Sequence, residues 1–297
     1  MPFLQQQRVR LPEGDDLPVI DFGGQGPDVL LVHHLGLGPL EWTRTIDALG
    51  GRVRAVAPAL RGHMASTVPA VPSTVASADL HLVAQEFGLT RPVLVLAGWI
   101  AAVMGLSAAV QRPEAFSAVV TINGTIAPTR AQAQEEIEVV RSPQMLAYFR
   151  DRFRLDSVVP TRAEIEELAE AKVAAIMADW MVDAQDEVRA EVDAGLRRVE
   201  GGWTTSPSSQ TIMTFYDLDA DDPCFPTRDL YAQLQVPLDV VHGTESWDYR
   251  SEWLEYEIGR DDPPIRVTEL DSGQFPMYSH PNEIARLILR SAGLETD

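Results

Sequence analysis

The sequence predicts an α/β protein built on a doubly wound parallel sheet. Short runs of leucine and β-branched residues alternate with helical patterns over most of the 297-residue chain. The later apolar runs are continuous, which is typical of parallel strands that helices cover on both faces. This alternation of strands and helices favours a single sheet with helices packed on both sides. A chain of this length can also bury a sizeable core.

Eight strands are predicted, six before residue 124 and two after residue 226. The first six are Arg8–Leu11, Pro18–Phe22, Val29–His33, Val53–Ala57, Val93–Ala97 and Ala118–Ile122. The last two are Leu238–His242 and Ile265–Leu270. Helical patterns lie between and after them, at Leu40–Leu49, Thr74–Phe87, Ile100–Gln111, Thr227–Leu234, Ser251–Ile258 and Pro281–Ser291. Glycine or proline residues end the first three helices, as helix stop signals do.

Residues 124–225 have a different pattern, with no strand run and a long helical stretch over Ala163–Val199. This segment holds 20 acidic and 10 basic residues, which is half of the net charge of the chain. The simplest interpretation of these charges is that they form a helix face exposed to solvent. The sequence therefore predicts a core made of residues 1–123 and 226–297, interrupted by a helical insertion at 124–225.

Composition excludes several classes of protein. The formal net charge of −20 disfavours a nucleic-acid partner or an anionic membrane surface. The single cysteine, Cys224, excludes an internal disulfide and suits a reducing compartment. No apolar run approaches the ~18 residues of a membrane span, and the start of the sequence shows no apolar signal region. We therefore expect a cytoplasmic protein; a homodimer stays an open expectation.

Five segments at predicted strand ends resemble the conserved loops of the α/β-hydrolase family. They are LLVHHLGLGPLEW (Leu30–Trp42), APALRGHMAS (Ala57–Ser66), VLAGWIAAVMG (Val95–Gly105), VVHGTESWD (Val240–Asp248) and SGQFPMYSHPNEIARLIL (Ser272–Leu289). In order and spacing they are similar to the family's oxyanion loop, R-G-H loop, nucleophile elbow, acid loop and histidine loop. The resemblance implies a mostly parallel eight-stranded sheet and makes residues 124–225 the helical cap of an epoxide-hydrolase- or esterase-like member.

The residues that carry the family's chemistry differ in this sequence. In the G-x-S-x-G register the elbow is Gly98–Ala102, which places Ile100 at the nucleophile position. Gln274 stands where the family has its general base, and an amide cannot take up a proton near neutral pH. Ser246 occupies the acid register, and Asn123 the alternative acid position of some relatives. The sequence thus predicts that the conventional serine-hydrolase mechanism is absent.

The remaining polar residues at these loops predict a different kind of site. His34 replaces a glycine of the oxyanion loop, so its imidazole is expected to project into the pocket. We predict that His34, Gln274 and Asp248 polarise a bound ligand, with His34 acting as an acid, a base or a hydrogen-bond donor. The apolar wall of the pocket is predicted to comprise Trp99, Ile100, Trp247, Met64 and Phe275. No histidine, cysteine or carboxylate set has metal-ligand spacing, and no cofactor is expected.

Three functions remain open at this point. The first is a cofactor-free, non-hydrolytic enzyme of secondary metabolism: a cyclase, lyase or isomerase acting on an apolar small molecule, in some relatives by pericyclic reactions. The second is a non-catalytic sensor, carrier or resistance protein that kept the pocket. The third is a hydrolase with relocated residues, such as His34 activating a water near Glu245 or Asp248. Fold alone does not choose among them.

Overall fold

The computed structural model describes residues 5–64, 66–180, 183–247, 249–251 and 262–294. In chain order its strands are β1 (Gln5–Arg10), β2 (Asp16–Gly23), β3 (Asp28–Val32), β4 (Arg54–Pro58), β5 (Val93–Ala97), β6 (Ala118–Ile122), β7 (Leu196–Val199), β8 (Gly202–Thr205), β9 (Leu238–Gly243) and β10 (Ile265–Leu270). Eight of them form one sheet in the order β1-β2-β4-β3-β5-β6-β9-β10. Only the β1–β2 and β2–β4 pairs are antiparallel among its described pairings. The mostly parallel eight-stranded sheet is confirmed.

The central strands explain why the sheet is buried on both faces. Every residue of β5 is buried, and successive side chains point to opposite sides. Leu94 and Leu96 pack into one apolar core, while Val93, Val95 and Ala97 pack into the other. A continuous apolar run is therefore what this position requires, because both faces lie against helices.

The helices are α1 (Thr43–Leu49), α2 (Ser73–Glu86), α3 (Gly98–Gln111), α4 (Arg130–Val140), α5 (Pro143–Arg152), α6 (Arg162–Trp180), α7 (Gln185–Ala194), α8 (Ser209–Phe215), α9 (Asp229–Gln233), α10 (Pro276–Ser279) and α11 (Pro281–Ser291). A 3₁₀ turn, Pro39–Trp42, precedes α1, so the first predicted helix begins with a tighter turn. The helix predicted at 251–258 lies almost wholly outside the described residues, and α10 was not predicted. In the described part of the chain, no helix is both long enough and apolar enough to cross a bilayer.

Residues 124–225, called the insert below, differ from the prediction of an all-helical segment. The helical pattern over 163–199 divides into α6 and α7, and the chain then forms the β7–β8 hairpin. Gly201 and Gly202 make the turn of this hairpin with φ angles of +87° and +147°. These are conformations that favour glycine. The hairpin strands are only four residues long and half-polar, which explains why no strand pattern was visible.

The parallel strands place their carboxyl ends along one edge of the sheet. The loops that follow β3, β5, β6, β9 and β10 meet there, and ligands of open α/β sheets bind at this edge. The insert leaves the core after β6 and packs over these loops, since α7 contacts the Pro39–Trp42 turn.

Candidate functional site

A sharp turn joins β5 to α3 at Gly98. The φ angle of Gly98 is +76°, and the helix begins at this residue. A Cβ atom on Gly98 would lie 2.3 Å from Cδ2 and 2.8 Å from Nε2 of His34. The imidazole of His34 therefore occupies the space in which a side chain at the turn would stand. The strained turn is at Gly98, two residues before the Ile100 of the sequence register, which lies in the first turn of α3.

His34 belongs to a chain of hydrogen bonds that crosses three loops. The Ser246 hydroxyl donates to Oε1 of Gln274 over 2.6 Å, which directs the amide nitrogen of Gln274 towards His34. That nitrogen lies 3.4 Å from Nε2 of His34, and Nδ1 of His34 lies 2.7 Å from the carbonyl oxygen of Leu35. A carbonyl oxygen only accepts, so Nδ1 carries the proton and Nε2 is the acceptor. The residues at the family's acid and base positions, Ser246 and Gln274, are thus linked to His34, which fills the space above the turn at Gly98.

One further side chain, that of Asn123, fixes the loops that carry these hydrogen bonds. Asn123, directly after β6, donates through Nδ2 to the carbonyl oxygens of Gln274 (2.9 Å) and Gly273 (3.2 Å). Its Oδ1 accepts from the amide N–H of Gly243 at the end of β9 (2.7 Å). Asn123 has a φ angle of +48°, which asparagine tolerates better than most residues. One side chain therefore ties together the ends of β6, β9 and β10.

Burial lowers the pKa of His34 to about 4, although the hydrogen bond to Leu35 opposes this shift. The imidazole is therefore neutral at pH 7 and presents the lone pair of Nε2. This differs from the expectation that His34 could donate a hydrogen bond to a ligand, because its one proton is used on Leu35. Phe275 packs edge-on against the ring, with 4.9 Å between centroids. His34 is thus positioned as a hydrogen-bond or proton acceptor.

The neighbouring histidines hold the loops and are also neutral. Nε2 of His33 accepts from the amide of Leu60 over 2.8 Å, and Nε2 of His63 accepts from the amide of Gly36 over 3.0 Å. Burial lowers the pKa of both imidazoles, that of His63 to about 4. Their contacts are with backbone groups of the loops that follow β3 and β4. They shape the site without facing the ligand space.

A cavity of about 480 Å³ lies over His34, between the sheet edge and the insert. Its wall is largely apolar and aromatic. The described lining residues are His34, Leu35, Gly36, Trp99, Ile100, Val140, Met145, Tyr148, Phe149, Phe153, Leu155, Lys172, Ile176, Pro207, Ile212, Tyr216, Trp247 and Gln274. This volume suits a small-molecule ligand. In the described ranges no group of three or more His, Cys, Asp or Glu side chains has the arrangement of a metal site.

The structure brings five of the predicted site residues to this wall, namely His34, Gln274, Trp99, Ile100 and Trp247. Met64 is absent from the described wall: it is buried beside the Pro39–Trp42 turn, and its carbonyl oxygen accepts from the Ser206 hydroxyl. Phe275 is also absent from that wall because it packs behind the His34 ring. Asp248 lies outside the described residues.

The sequence analysis missed Lys172, which also contributes to the cavity wall. Lys172 lies on α6 and is 2% exposed. Its Nζ donates to the carbonyl oxygen of Ser206 (2.7 Å) and to Oγ1 of Thr205 (3.2 Å). Burial lowers its pKa to about 8. One signal was visible in advance, since Lys172 is the only lysine in the sequence.

The loop geometry can be compared with that of known families. The model of the alpha/beta hydrolase family matches residues 29–287, from β3 to within α11. The chain belongs to this family. In the alpha/beta hydrolase fold the nucleophile stands on a strained turn between a strand and a helix, and Gly98 holds that turn here.

Solved structures with this fold cover nearly the whole chain. E-2-(acetamidomethylene)succinate hydrolase gives a TM-score of 0.75 at 18% identity, over 98% of this chain and 99% of that chain. The thioesterase domain from the curacin biosynthetic pathway gives 0.71 at 18% identity, over 96% and 99%. The epoxide hydrolase of Bacillus megaterium in complex with an inhibitor gives 0.66 at 19% identity, over 97% and 100%. At these identities the likeness shows the fold alone. No curated protein matches the sequence.

Proposed function

We propose that this alpha/beta hydrolase family member is a cofactor-free, non-hydrolytic enzyme: a cyclase, lyase or isomerase of secondary metabolism. Its substrate is an apolar small molecule held in the cavity beneath the insert, which acts as the cap. The observation that carries the proposal is the His34 imidazole in the space above Gly98. Hydrolysis by the family's route needs a nucleophilic side chain at that turn. In this proposal the turn supplies none, and the acceptor nitrogen Nε2 of His34 takes its place.

His34 is assigned the role of general base. Nε2 accepts a proton from a C–H or O–H group of the substrate, which replaces the long 3.4 Å contact of Nε2 with the Gln274 amide, while the hydrogen bond from Nδ1 to Leu35 holds the ring in position. The first N–H groups of α3, including that of Trp99, stabilise the negative charge that develops on the substrate. The proton on Nε2 then returns to another atom of the substrate, or it passes to a leaving group that departs with its bonding electron pair. Both outcomes are complete without water as a reactant.

A non-catalytic binding protein is the second candidate. It is favoured by the low pKa of His34, which makes the imidazole a weak base in the empty cavity. In that case His34 accepts a hydrogen bond from the ligand without a proton transfer. The cavity and its apolar wall are equally compatible with an enzyme and with a binding protein.

Isotope-resolved mass spectrometry tests the proposal. The protein is incubated in H₂¹⁸O with a panel of apolar small molecules, and each product is compared with its substrate. We expect a product of unchanged mass, or one that has lost a small neutral molecule, and no ¹⁸O. A product that gains ¹⁸O-labelled water would establish hydrolysis and overturn the proposal. Binding of panel members without any product would favour the second candidate.

His34→Ala is the variant that tests the assigned base. For a panel member that is converted, we expect turnover to fall by about 10²–10⁴-fold, the usual contribution of general acid–base catalysis. Affinity for that compound should change much less. His280→Ala is the matched control, because His280 lies outside the cavity at the start of α11. Equal turnover in all three proteins would remove His34 from the mechanism.

A further inference from the structure

Lys172 is a buried cation in a cavity wall whose other described residues are uncharged at pH 7. Of the eighteen described lining residues, it is the one that carries a charge at pH 7. Nζ makes two hydrogen bonds, both to neutral oxygens, those of Ser206 and Thr205. Among the described residues no carboxylate lies within 4.0 Å of Nζ, the limit for an ion pair.

This arrangement has an electrostatic cost. A buried ammonium without a counter-charge loses its hydration, and two neutral acceptors compensate only in part. An ammonium has three N–H donors, and the two hydrogen bonds use two of them. A neutral side chain such as methionine would fill the same position on α6 at a lower electrostatic cost. The charge therefore has a use that the protein's own described groups do not provide.

We infer that Lys172 anchors an anionic group of the ligand, so that the cavity takes an apolar organic acid. The anion supplies the missing counter-charge and accepts the third N–H of Nζ. The apolar body of the ligand then lies against aromatic wall residues such as Trp99 and Phe149. This inference rests on the proposed function, because it names the substrate class for the same cavity.

Two fluorescent probes that differ in one charged group test this inference. The anionic probe is 1-anilinonaphthalene-8-sulfonate, and the neutral probe is N-phenyl-1-naphthylamine, which is the same molecule without the sulfonate. In Lys172→Met, we expect the affinity for the sulfonate probe to fall about tenfold or more, as for a lost hydrogen bond to a charged group. The affinity for the neutral probe should stay within about twofold of the wild-type value.

A cavity-filling variant shows where the probes bind. Leu35 lines the cavity with a half-buried side chain. Leu35→Trp should weaken both probes together. If neither probe binds, or if Leu35→Trp affects neither, the cavity does not take apolar ligands. That outcome overturns both the inference and the proposed function.

A pH series on the wild-type protein provides a test without a Lys172 variant. We expect the ratio of sulfonate-probe affinity to neutral-probe affinity to fall between pH 7 and pH 9.5, as Lys172 loses its proton. The histidines near Lys172, His34 and His63, have pKa values of about 4 and do not titrate in this window. Glu191 on α7, which packs against α6, does titrate there, with a pKa of about 8.

Lys172→Met separates these two titrations. The ratio should be independent of pH in this variant, and a fall that persists would assign the effect to Glu191 and overturn the inference. If Lys172→Met changes the two probe affinities equally, the role of Lys172 is only to hold β8 against α6. The inference then fails, but the assignment of the cavity as the ligand site is unaffected. Circular dichroism checks the fold of the variant. Should it be unfolded, Lys172→Gln and the wild-type pH series decide the question.

Discussion

Across the turn at Gly98, a glycine and a larger side chain have exchanged places relative to the family pattern. The family resemblance places a glycine at position 34 and a nucleophile at the turn. Here the imidazole stands at position 34 and the glycine at 98, and each requires the other. Any Cβ at Gly98 would meet the His34 ring, while the ring has room only because Gly98 has no side chain.

This mutual dependence predicts the result of a double-mutant cycle. Gly98→Ala should lower the free energy of unfolding by about 1–3 kcal/mol for the left-handed conformation, with a further loss from the collision. Gly88→Ala is the matched control, because its φ of +61° is similar and nothing lies within 4 Å of its Cβ position. Adding His34→Gly to Gly98→Ala should restore the part of the free energy of unfolding that Gly98→Ala loses beyond the loss in Gly88→Ala. Denaturant unfolding measures the four proteins of the cycle and the control, and strictly additive effects within the cycle would contradict the contact.

A reconstructed triad tests which residue holds the nucleophile position. We expect His34→Gly, Gln274→His and Ser246→Asp, combined with Gly98→Ser, to give measurable hydrolysis of p-nitrophenyl butyrate. The same three changes combined with Ile100→Ser should give none, since Ile100 lies within α3 and not at the strained turn. Gly98→Ser alone should be inactive, because triad members act as a unit. If only the protein with Ile100→Ser hydrolysed the ester, Ile100 would hold the nucleophile position, as the sequence pattern predicted.

The sequence predicted loops that line the cavity, but it did not predict the register within one of them. Gly98 fits the G-x-S-x-G pattern as its first glycine and also fits the turn as its central residue. Only the backbone conformation separates these two assignments. Lys172 was missed for a related reason: the apolar stripe of its helix was imperfect, so the buried face could not be chosen from the sequence.

Among the elements, α7 provides one of the contacts between insert and core. Arg44 on α1 forms a paired ion bridge to Glu187 on α7, with nitrogen–oxygen distances of 2.5 and 3.2 Å. One turn further along α7, Glu191 is buried beside the Pro39–Trp42 turn, close to the buried Glu41. Burial raises the pKa of Glu191 to about 8, against the effect of nearby backbone amides. The carboxyl group of Glu191 therefore keeps its proton at neutral pH.

The docking of α7 should consequently weaken as pH rises. Between about pH 4.5 and pH 8 folded Glu191 keeps a proton that the unfolded chain has lost, so the free energy of unfolding falls through this window. Each unit of displaced pKa corresponds to about 1.4 kcal/mol. Thermal unfolding should show Glu191→Gln to be more stable than wild type at pH 8.5 and similar at pH 4.5.

Glu187→Gln is the matched control for this prediction. Although burial opposes the shift, the hydrogen bond from Arg44 lowers the pKa of Glu187, so its charge stabilises the fold at pH 8.5. This variant should be less stable than wild type there, with the difference shrinking as pH falls through the lowered pKa. Both variants changing stability in the same direction at pH 8.5 would contradict the assignment. In Glu191→Gln, the free energy of unfolding should still fall with rising pH, since the pKa of Glu41 is also raised.

Elements with strong patterns were predicted with their observed bounds, and short polar ones were not. β5, β6, β10 and α11 agree residue for residue, because continuous apolar runs or proline signals mark their ends. The β7–β8 hairpin was missed, because tertiary context and its glycine turn form it without an apolar run. The break between α6 and α7 was also missed, because amphipathic spacing continues across it.

The charge of the whole chain bears on how an acidic ligand reaches Lys172. The formal net charge is −20, and the insert that covers the cavity contributes half of it. The field around the molecule therefore repels an anion until it is inside the cavity, where Lys172 attracts it at short range. Long-range repulsion is screened by salt, whereas a buried contact is screened much less.

The long-range repulsion and the short-range attraction predict that the rates of anion binding depend on salt in an unusual way. The Debye length falls from about 30 Å at 0.01 M to about 8 Å at 0.15 M salt, so the repulsion is largely removed while the contact with Lys172 remains. The association rate of 1-anilinonaphthalene-8-sulfonate, measured by stopped-flow fluorescence, should therefore rise over this range. Its dissociation rate should change little, and N-phenyl-1-naphthylamine should show neither effect. An association rate that falls with salt would mean that a positive surface guides the anion, contrary to the charge distribution of this chain.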